Sequence, residues 1–206
     1  MARTVLLGFA TGPLVGHTPP MPIVPLFDFD GTLVDSDVAL IAPFLALGLT
    51  HDELPPLGLP LVEACTRVGI AVQDYLDAYD ASAAQPFAGA AELLADLPRW
   101  GLASNKQRDS GHRELARLGW APEAAFFSDD FGGAEKQLAP LLAALSLAPE
   151  DAVYVGDTAH DRDCAARAGV PFALAGWNPR ARAGALPGDH VLDHPADVHE
   201  LLRSPA

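Results

Sequence analysis

Short runs of apolar residues recur along the chain and alternate with stretches in which apolar residues follow helical spacing. The short runs are typical of buried strands. They lie at Ile23–Phe29, Gly101–Ser104, Ala125–Ser128, Ala152–Val155 and Pro171–Ala175. The helical spacing predicts helices at Ser110–Leu118, Glu135–Leu147, His160–Ala168 and Ala196–Leu202. Because strands and helices alternate, the pattern predicts an α/β fold with a mostly parallel sheet covered by helices on both faces.

The pattern changes between Ser36 and Pro86, where helical spacing continues without a clear strand. Three helices are predicted at Val38–Leu47, Leu61–Val68 and Val72–Tyr79. Prolines at 55, 56 and 60 separate the first two of them. This order predicts a small α-helical insertion at 37–86, set into an α/β core made of 21–36 and 87–206.

The first twenty residues fit neither pattern. They contain a single basic residue, Arg3, followed by small and apolar residues with glycines and prolines. The charged start and the cleavage-site pattern of a secretory signal peptide are both weak here. We therefore predict that 1–20 is a disordered extension or that the true start lies nearer Met21.

Composition narrows the classes of partner. The 206 residues suffice for one α/β domain with a small insertion. A formal net charge of −14 disfavours binding to nucleic acid or to an anionic membrane surface, and no apolar run is long enough to span a bilayer. Cys65 and Cys164 are far apart and match no metal-ligand spacing, which favours a reduced, cytoplasmic setting. Nothing in the sequence indicates an oligomeric state.

Two acidic side chains follow the first predicted strand. Only Phe29 separates Asp28 from Asp30, so in an extended backbone both carboxylates project to the same side. Open α/β sheets bind their ligands at the carboxyl ends of the strands, which is where these residues stand. Two converging carboxylates repel each other, and a hard dication such as Mg²⁺ relieves that repulsion. An ordinary Asp-Gly turn has the same local sequence, so this segment alone does not decide the function.

Three later segments add polar side chains, two of them at other predicted strand ends and one at the start of a predicted helix. Ser104 and Asn105 can donate hydrogen bonds to phosphate oxygens, although such a pair also forms ordinary turns. Lys136 is one of only two lysines beside eleven arginines, and it suits either a clamp on a phosphoryl group or a solvated first helical turn. Asp157 ends a strand as a candidate metal ligand. Asp161, one helical turn later, binds the metal through water or orients Lys136.

Taken together, these segments resemble the four motif regions of the haloacid dehalogenase superfamily, most closely its phosphoglycolate phosphatase branch. The segments are DFDGTLVDS at 28–36, ASNK at 103–106, the lysine segment and VGDTAHD at 155–161. The resemblance covers roughly 22–203 and implies a Rossmann-like, doubly wound core with an inserted helical cap. Two departures are a short cap and Lys136-Gln-Leu-Ala-Pro140 in place of the family's Lys-Pro-x-Pro.

The resemblance also implies a role for each motif residue. Asp28 is the expected nucleophile, which forms an aspartyl-phosphate, and Asp30 is the expected general acid and base. Mg²⁺ is expected to be held by Asp28, the backbone carbonyl of Asp30 and Asp157. Asp161 is expected to support these ligands without binding the metal directly. The expected phosphate-binding residues are Thr32, Ser104, Asn105 and Lys136.

The cap is expected to contact the substrate, a small phosphorylated metabolite, and so to set the specificity. Leu57-Gly58-Leu59-Pro60 resembles the family's substrate-facing loop, which makes Gly58 a candidate contact. Arg67 is the only Arg or Lys between Ser36 and Pro86, and it suits either a substrate carboxylate, as in phosphoglycolate, or a solvated helix face.

Two other functions remain open from the sequence. A sugar phosphomutase of the same superfamily uses the same core residues, and a catalytically silent binding module can retain the fold without the chemistry. The acid Asp30 favours phosphate esters over the dehalogenases of the superfamily, which lack the second Asp.

Overall fold

The computed structural model describes residues 22–132 and 135–203, so the predicted extension at 1–20 lies outside the described residues. Its strands are β1 (Val24–Phe27), β2 (Val34–Asp35), β3 (Gln85–Pro86), β4 (Gly101–Ala103), β5 (Ala124–Phe126), β6 (Ala152–Gly156), β7 (Phe172–Ala175) and β8 (Val191–Leu192). Its α-helices are α1 (Asp37–Ala46), α2 (Leu61–Val68), α3 (Val72–Ala78), α4 (Ala90–Asp96), α5 (Arg108–Leu118), α6 (Ala139–Leu145), α7 (Ala159–Ala168), α8 (Pro179–Ala183) and α9 (Val198–Leu201).

Six of these strands form one parallel sheet in the order β5-β4-β1-β6-β7-β8. Because successive side chains point to opposite faces, Phe27 packs into one apolar cluster and Leu26 into the other. All four residues of the central strand β1 are buried. The predicted α/β fold, a parallel sheet with helices on both faces, is therefore confirmed.

Residues 37–86 contain α1, α2 and α3 and no strand of the main sheet. Their side chains pack around a separate apolar cluster that includes Phe44, Cys65 and Tyr75. The chain leaves and re-enters the core through β2 and β3, which pair antiparallel. This helical layer is called the cap below. No helix of the described residues is both long and apolar enough to cross a membrane.

The helix predicted at Glu135–Leu147 is shorter than expected. It begins at Ala139, and Lys136 precedes it in a segment with no regular structure. Pro140 explains the late start, because proline lacks an N–H group and is tolerated only in the first turn of a helix. The short elements β8, α4 and α8 were not predicted from periodicity, since each offers only a few residues of pattern.

Candidate active site

The site lies where three neighbouring strands end. Asp28 follows β1, Ser104 follows β4 and Asp157 follows β6, and these strands are adjacent in the sheet. The backbone N–H of Asp28 donates to the carbonyl of Val155 at 2.9 Å, which extends the pairing of β1 and β6 to the first acidic residue. Parallel strands place their carboxyl ends at one edge, so three segments that are distant in sequence meet there.

Lys136 joins two of the acidic motifs. Its Nζ lies 2.7 Å from Oδ1 of Asp28 and 2.5 Å from Oδ1 of Asp161, and all three side chains are buried. Burial alone would lower the pKa of Lys136, but the attraction of Asp161 and Asp28 outweighs it and the pKa is raised. The ammonium group is therefore charged at neutral pH and directed at the pocket.

Asp161 is engaged on both oxygens. One accepts hydrogen bonds from Lys136 and from the hydroxyl of Tyr154, and the other accepts from the backbone N–H groups of Asp157 and Thr158 and from the Thr158 hydroxyl. Burial opposes ionisation, but Lys136 and the Thr158 hydrogen bonds lower the pKa of Asp161. Both oxygens of Asp161 therefore accept hydrogen bonds, one of them from Lys136.

Asp157 is held by two side chains that come from different parts of the chain. The Thr32 hydroxyl donates to Oδ1 at 3.3 Å, and the Arg180 guanidinium contacts Oδ2 at 2.5 Å. Thr32 is fully buried beside Asp157 and does not line the pocket. Gly31 has φ of +81°, and a Cβ atom there would lie 2.2 Å from Asp157 Oδ2, so only glycine permits this approach.

The segment after β7 fixes the loop that follows β1. The indole Nε1 of Trp177 donates to the carbonyl of Thr32, and the amide of Asn178 donates to the carbonyl of Gly31, both at 2.8 Å. Arg180, which follows them, pairs with both Asp157 and Asp37. Sequence reasoning did not identify Arg180; the signal that could have pointed to it is the neighbouring Ala-Gly-Trp-Asn at 175–178, which lies within the resemblance at 22–203.

Three carboxylates form a cluster that fits a metal ion. One oxygen from each of Asp28, Asp157 and Asp161 lies within 4.8 Å of the others, and two cations, Lys136 and Arg180, pair with them. Burial raises the pKa of Asp28 to about 7 against the attraction of Lys136, and burial also raises the pKa of Asp157. The three buried carboxylates outnumber the two cations that pair with them. Their oxygens are the ligands that a hard divalent cation such as Mg²⁺ prefers.

A second buried ion cluster surrounds Asp30. Nζ of Lys106 lies 3.1 Å from its Oδ1, 3.0 Å from Oε1 of Glu114 and 3.0 Å from the hydroxyl of Tyr79. Burial would lower the pKa of Lys106, but Asp30, Tyr79 and Glu114 raise it. Lys106 is the last residue of the ASNK motif, but sequence reasoning did not include it in the site. No local pattern distinguished Glu114 on α5 or Tyr79 after α3 from ordinary helix residues.

The pocket lies between the sheet edge and the cap. Four of the site residues predicted from the sequence line it, namely Asp28, Asp30, Ser104 and Lys136. Asn105 lines it too, but its amide Nδ2 donates to the carbonyl of Gly58 at 2.8 Å, so this side chain binds the cap loop. The structure therefore brings Gly58 to the pocket through its backbone.

Arg67 is not brought to the pocket. Its guanidinium pairs with Glu63 one helical turn away at 2.7 Å, and its side chain is 53% exposed. The carboxylate-binding role proposed for Arg67 is therefore not supported by its position, and the alternative of a solvated helix face describes it. Helical spacing alone did not show which side of α2 faces the pocket.

Known proteins are similar to this chain in sequence and in fold. The family model described as "Haloacid dehalogenase-like hydrolase" matches residues 25–175. A protein of Xanthomonas campestris named "Phosphoglycolate phosphatase" is 31% identical over 207 residues, covering 86% of this chain and 91% of its own. The "Tyrosine-protein kinase PtkA" of Mycobacterium tuberculosis is 30% identical over 208 residues, covering 87% and 71%.

A solved structure agrees on the fold. A haloacid dehalogenase-like hydrolase from Bacteroides fragilis has a TM-score of 0.71 at 24% identity, covering 86% of this chain and 99% of its own. The two named relatives carry different activities, so they do not by themselves assign a substrate. The matched family model spans the first acidic motif, the serine and lysine segments and the second acidic motif. The chain therefore belongs to the haloacid dehalogenase-like hydrolase family.

Proposed function

We propose that the protein is a Mg²⁺-dependent phosphatase that hydrolyses a small phosphomonoester. The observation that carries this proposal is the position of Asp28, which lines the pocket while Lys136 holds one of its oxygens at 2.7 Å. A carboxylate oriented in this way beside a cation and further acidic groups suits attack on a phosphoryl group. The Xanthomonas relative's name supports the same class of reaction.

The proposed reaction has two steps. In the first, a carboxylate oxygen of Asp28 forms a bond to phosphorus while the bond from phosphorus to the ester oxygen breaks, and Asp30 gives its proton to the departing alcohol. In the second, Asp30 takes a proton from water as the water oxygen attacks phosphorus. Inorganic phosphate leaves and the Asp28 carboxylate is restored.

Positioning and charge account for much of the catalysis of phosphoryl transfer. Lys136 and Ser104 line the pocket and are proposed to donate to the phosphoryl oxygens. Thr32 was expected to join them, but its hydroxyl binds Asp157, so we propose that it orients that carboxylate. Asn105 is proposed to contribute after its contact with Gly58 opens, or to hold the cap loop over the substrate.

A divalent cation is proposed to bind to Asp28, the backbone carbonyl of Asp30 and Asp157. When bound, Mg²⁺ supplies positive charge between the carboxylates and the phosphoryl oxygens, and it lowers the repulsion between them. The Asp157 carboxylate is also paired with Arg180 at 2.5 Å. The guanidinium of Arg180 compensates the negative charge on one oxygen of Asp157.

The test is phosphate release by the purified protein from small phosphomonoesters, with Mg²⁺ and with EDTA. We expect release with Mg²⁺ and none with EDTA, restored by added Mg²⁺. No metal-dependent release from any ester, including p-nitrophenyl phosphate, would refute the proposal. If sugar phosphates were instead isomerised without net release, the mutase function would replace it.

Lys106 is expected to position Asp30 as the acid. Substituting Lys106→Met removes the ammonium that holds both oxygens of Asp30 at 3.1 and 3.2 Å. We expect kcat/KM for an alkyl phosphate to fall by about 10²-fold, the lower end of a general-acid contribution. For p-nitrophenyl phosphate the loss should be several-fold smaller, because nitrophenolate leaves without a proton.

Two further variants separate this role from a structural one. Asp30→Asn should show the same dependence on the leaving group. Because Lys106→Met leaves Glu114 without its cation, the double variant Lys106→Met/Glu114→Gln checks that lost stability is not the cause. Equal losses on both esters in a folded Lys106→Met protein would contradict the positioning role.

A further inference from the structure

The pocket has two chemically different ends. The end at the sheet edge carries Asp28, Lys136 and Ser104, where the phosphoryl group is proposed to bind. The other end reaches into the cap between α1, the loop around Gly58 and α3. Its walls are apolar, and they include Leu40, Ile41, Phe44, Leu57, Leu59 and Leu76. The leaving group of a bound ester would lie against these side chains.

Within residues 22–132 and 135–203, the cap end of the pocket offers no cation to a negatively charged leaving group. Among the described residues that line the pocket, the basic side chains are Lys106 and Lys136. Each is already held by two carboxylates, Lys106 by Asp30 and Glu114, and Lys136 by Asp28 and Asp161.

Desolvation points the same way. The wall of the cap end is made of apolar side chains, Leu40, Phe44 and Leu57 among them. A second negative charge on the substrate, beyond the phosphate, would lose its water in an apolar wall and gain no ion pair in return.

We infer that the substrate is the phosphate ester of an uncharged alcohol with an apolar body, aliphatic or aromatic. This inference rests on the proposed phosphatase function and adds the class of its leaving group. Burying that body against the cap would favour binding in proportion to the apolar area removed from water. The whole pocket, phosphoryl end included, has a volume of about 100 Å³, which suits a compact alcohol.

The test compares two esters of similar shape. Isobutyl phosphate and phosphoglycolate have leaving groups with the same number of non-hydrogen atoms, but one ends in two methyl groups and the other in a carboxylate. We expect kcat/KM to be at least tenfold higher for isobutyl phosphate, and benzyl phosphate to be accepted as well. A preference for phosphoglycolate would overturn the inference while leaving the phosphatase function in place.

A charge placed in the cap end should change this preference. Leu57 lines the pocket on a partly exposed loop, so Leu57→Lys is expected to shift the ratio of the two kcat/KM values at least tenfold toward phosphoglycolate. Val62→Lys is the matched control, because Val62 is 59% exposed on α2 and does not line the pocket. Its ratio should equal that of the unchanged protein.

Two further results would count against the inference. One is an unchanged ratio in Leu57→Lys in a folded protein that still releases phosphate. Another is the loss of phosphoglycolate activity alone in Arg67→Ala, which would show that the exposed arginine reaches the substrate. Absence of metal-dependent release from every ester, p-nitrophenyl phosphate included, would instead refute the phosphatase function on which the inference rests.

Discussion

The Asp28→Asn variant is expected to lose phosphate release by a factor on the order of 10⁴ or more while retaining its fold. The asparagine amide cannot form the bond to phosphorus, and it removes one negative charge from the proposed metal site. The side chain keeps nearly the same shape, and Lys136 keeps its second partner, Asp161, at 2.5 Å. Activity should therefore disappear without unfolding.

The metal-free protein should not lose stability through this change. Burial raises the pKa of Asp28 to about 7, above its value in the unfolded chain. The stabilising contribution of such a group is present below pH 4 and is lost as the pH rises toward 7. A neutral amide does not titrate, so in EDTA at pH 7.5 the variant should unfold at a temperature no lower than the unchanged protein does.

Both quantities are measured on the same preparation, by phosphate release with Mg²⁺ and by thermal unfolding in EDTA. Asp35→Asn is the matched control, because Asp35 is an exposed acid a few residues away that does not line the pocket. It should retain activity. Turnover by Asp28→Asn similar to that of the unchanged protein would overturn the proposed mechanism.

Substituting Lys136→Met is expected to lower the free energy of unfolding by about 3–5 kcal/mol, the usual cost of removing one partner of a buried ion pair. Methionine fills most of the space but leaves Asp28 and Asp161 buried without their shared cation. Phosphate release should be lost as well, since the same ammonium group is proposed to stabilise the phosphoryl oxygens.

Urea unfolding of Lys136→Met and of the double variant Asp28→Asn/Lys136→Met separates the loss of stability from the loss of activity. Asp28→Asn/Lys136→Met removes one of the stranded charges, so it should recover part of the lost stability without recovering activity. Arg67→Ala breaks an exposed ion pair between residues one helical turn apart, and it should cost only about 0.5 kcal/mol. A Lys136→Met protein as stable as the unchanged one would contradict the role of this ion cluster.

Sequence alone determined the features that depend on neighbouring residues. The apolar run at Ile23–Phe29 predicted a buried strand, and the acidic pair after it predicted a site at its carboxyl end. Strand burial and the turn at a strand end are local properties, so a short segment contains most of the information needed. The same holds for Asp157, which follows the buried strand β6. Alternation of these patterns was enough to predict the parallel sheet.

Only the tertiary structure decided which distant side chains face one another. Lys106 meets Glu114 from one side and Tyr79 of the cap from another, and Arg180 reaches Asp157 across the loop after β1. Arg67, chosen because it was the only basic residue of its segment, does not line the pocket and pairs with Glu63 on the same helix. Which charged residues pair in a buried cluster depends on how the helices and strands pack. The surroundings of a helix side chain are fixed only once one face of that helix is buried against a particular neighbour.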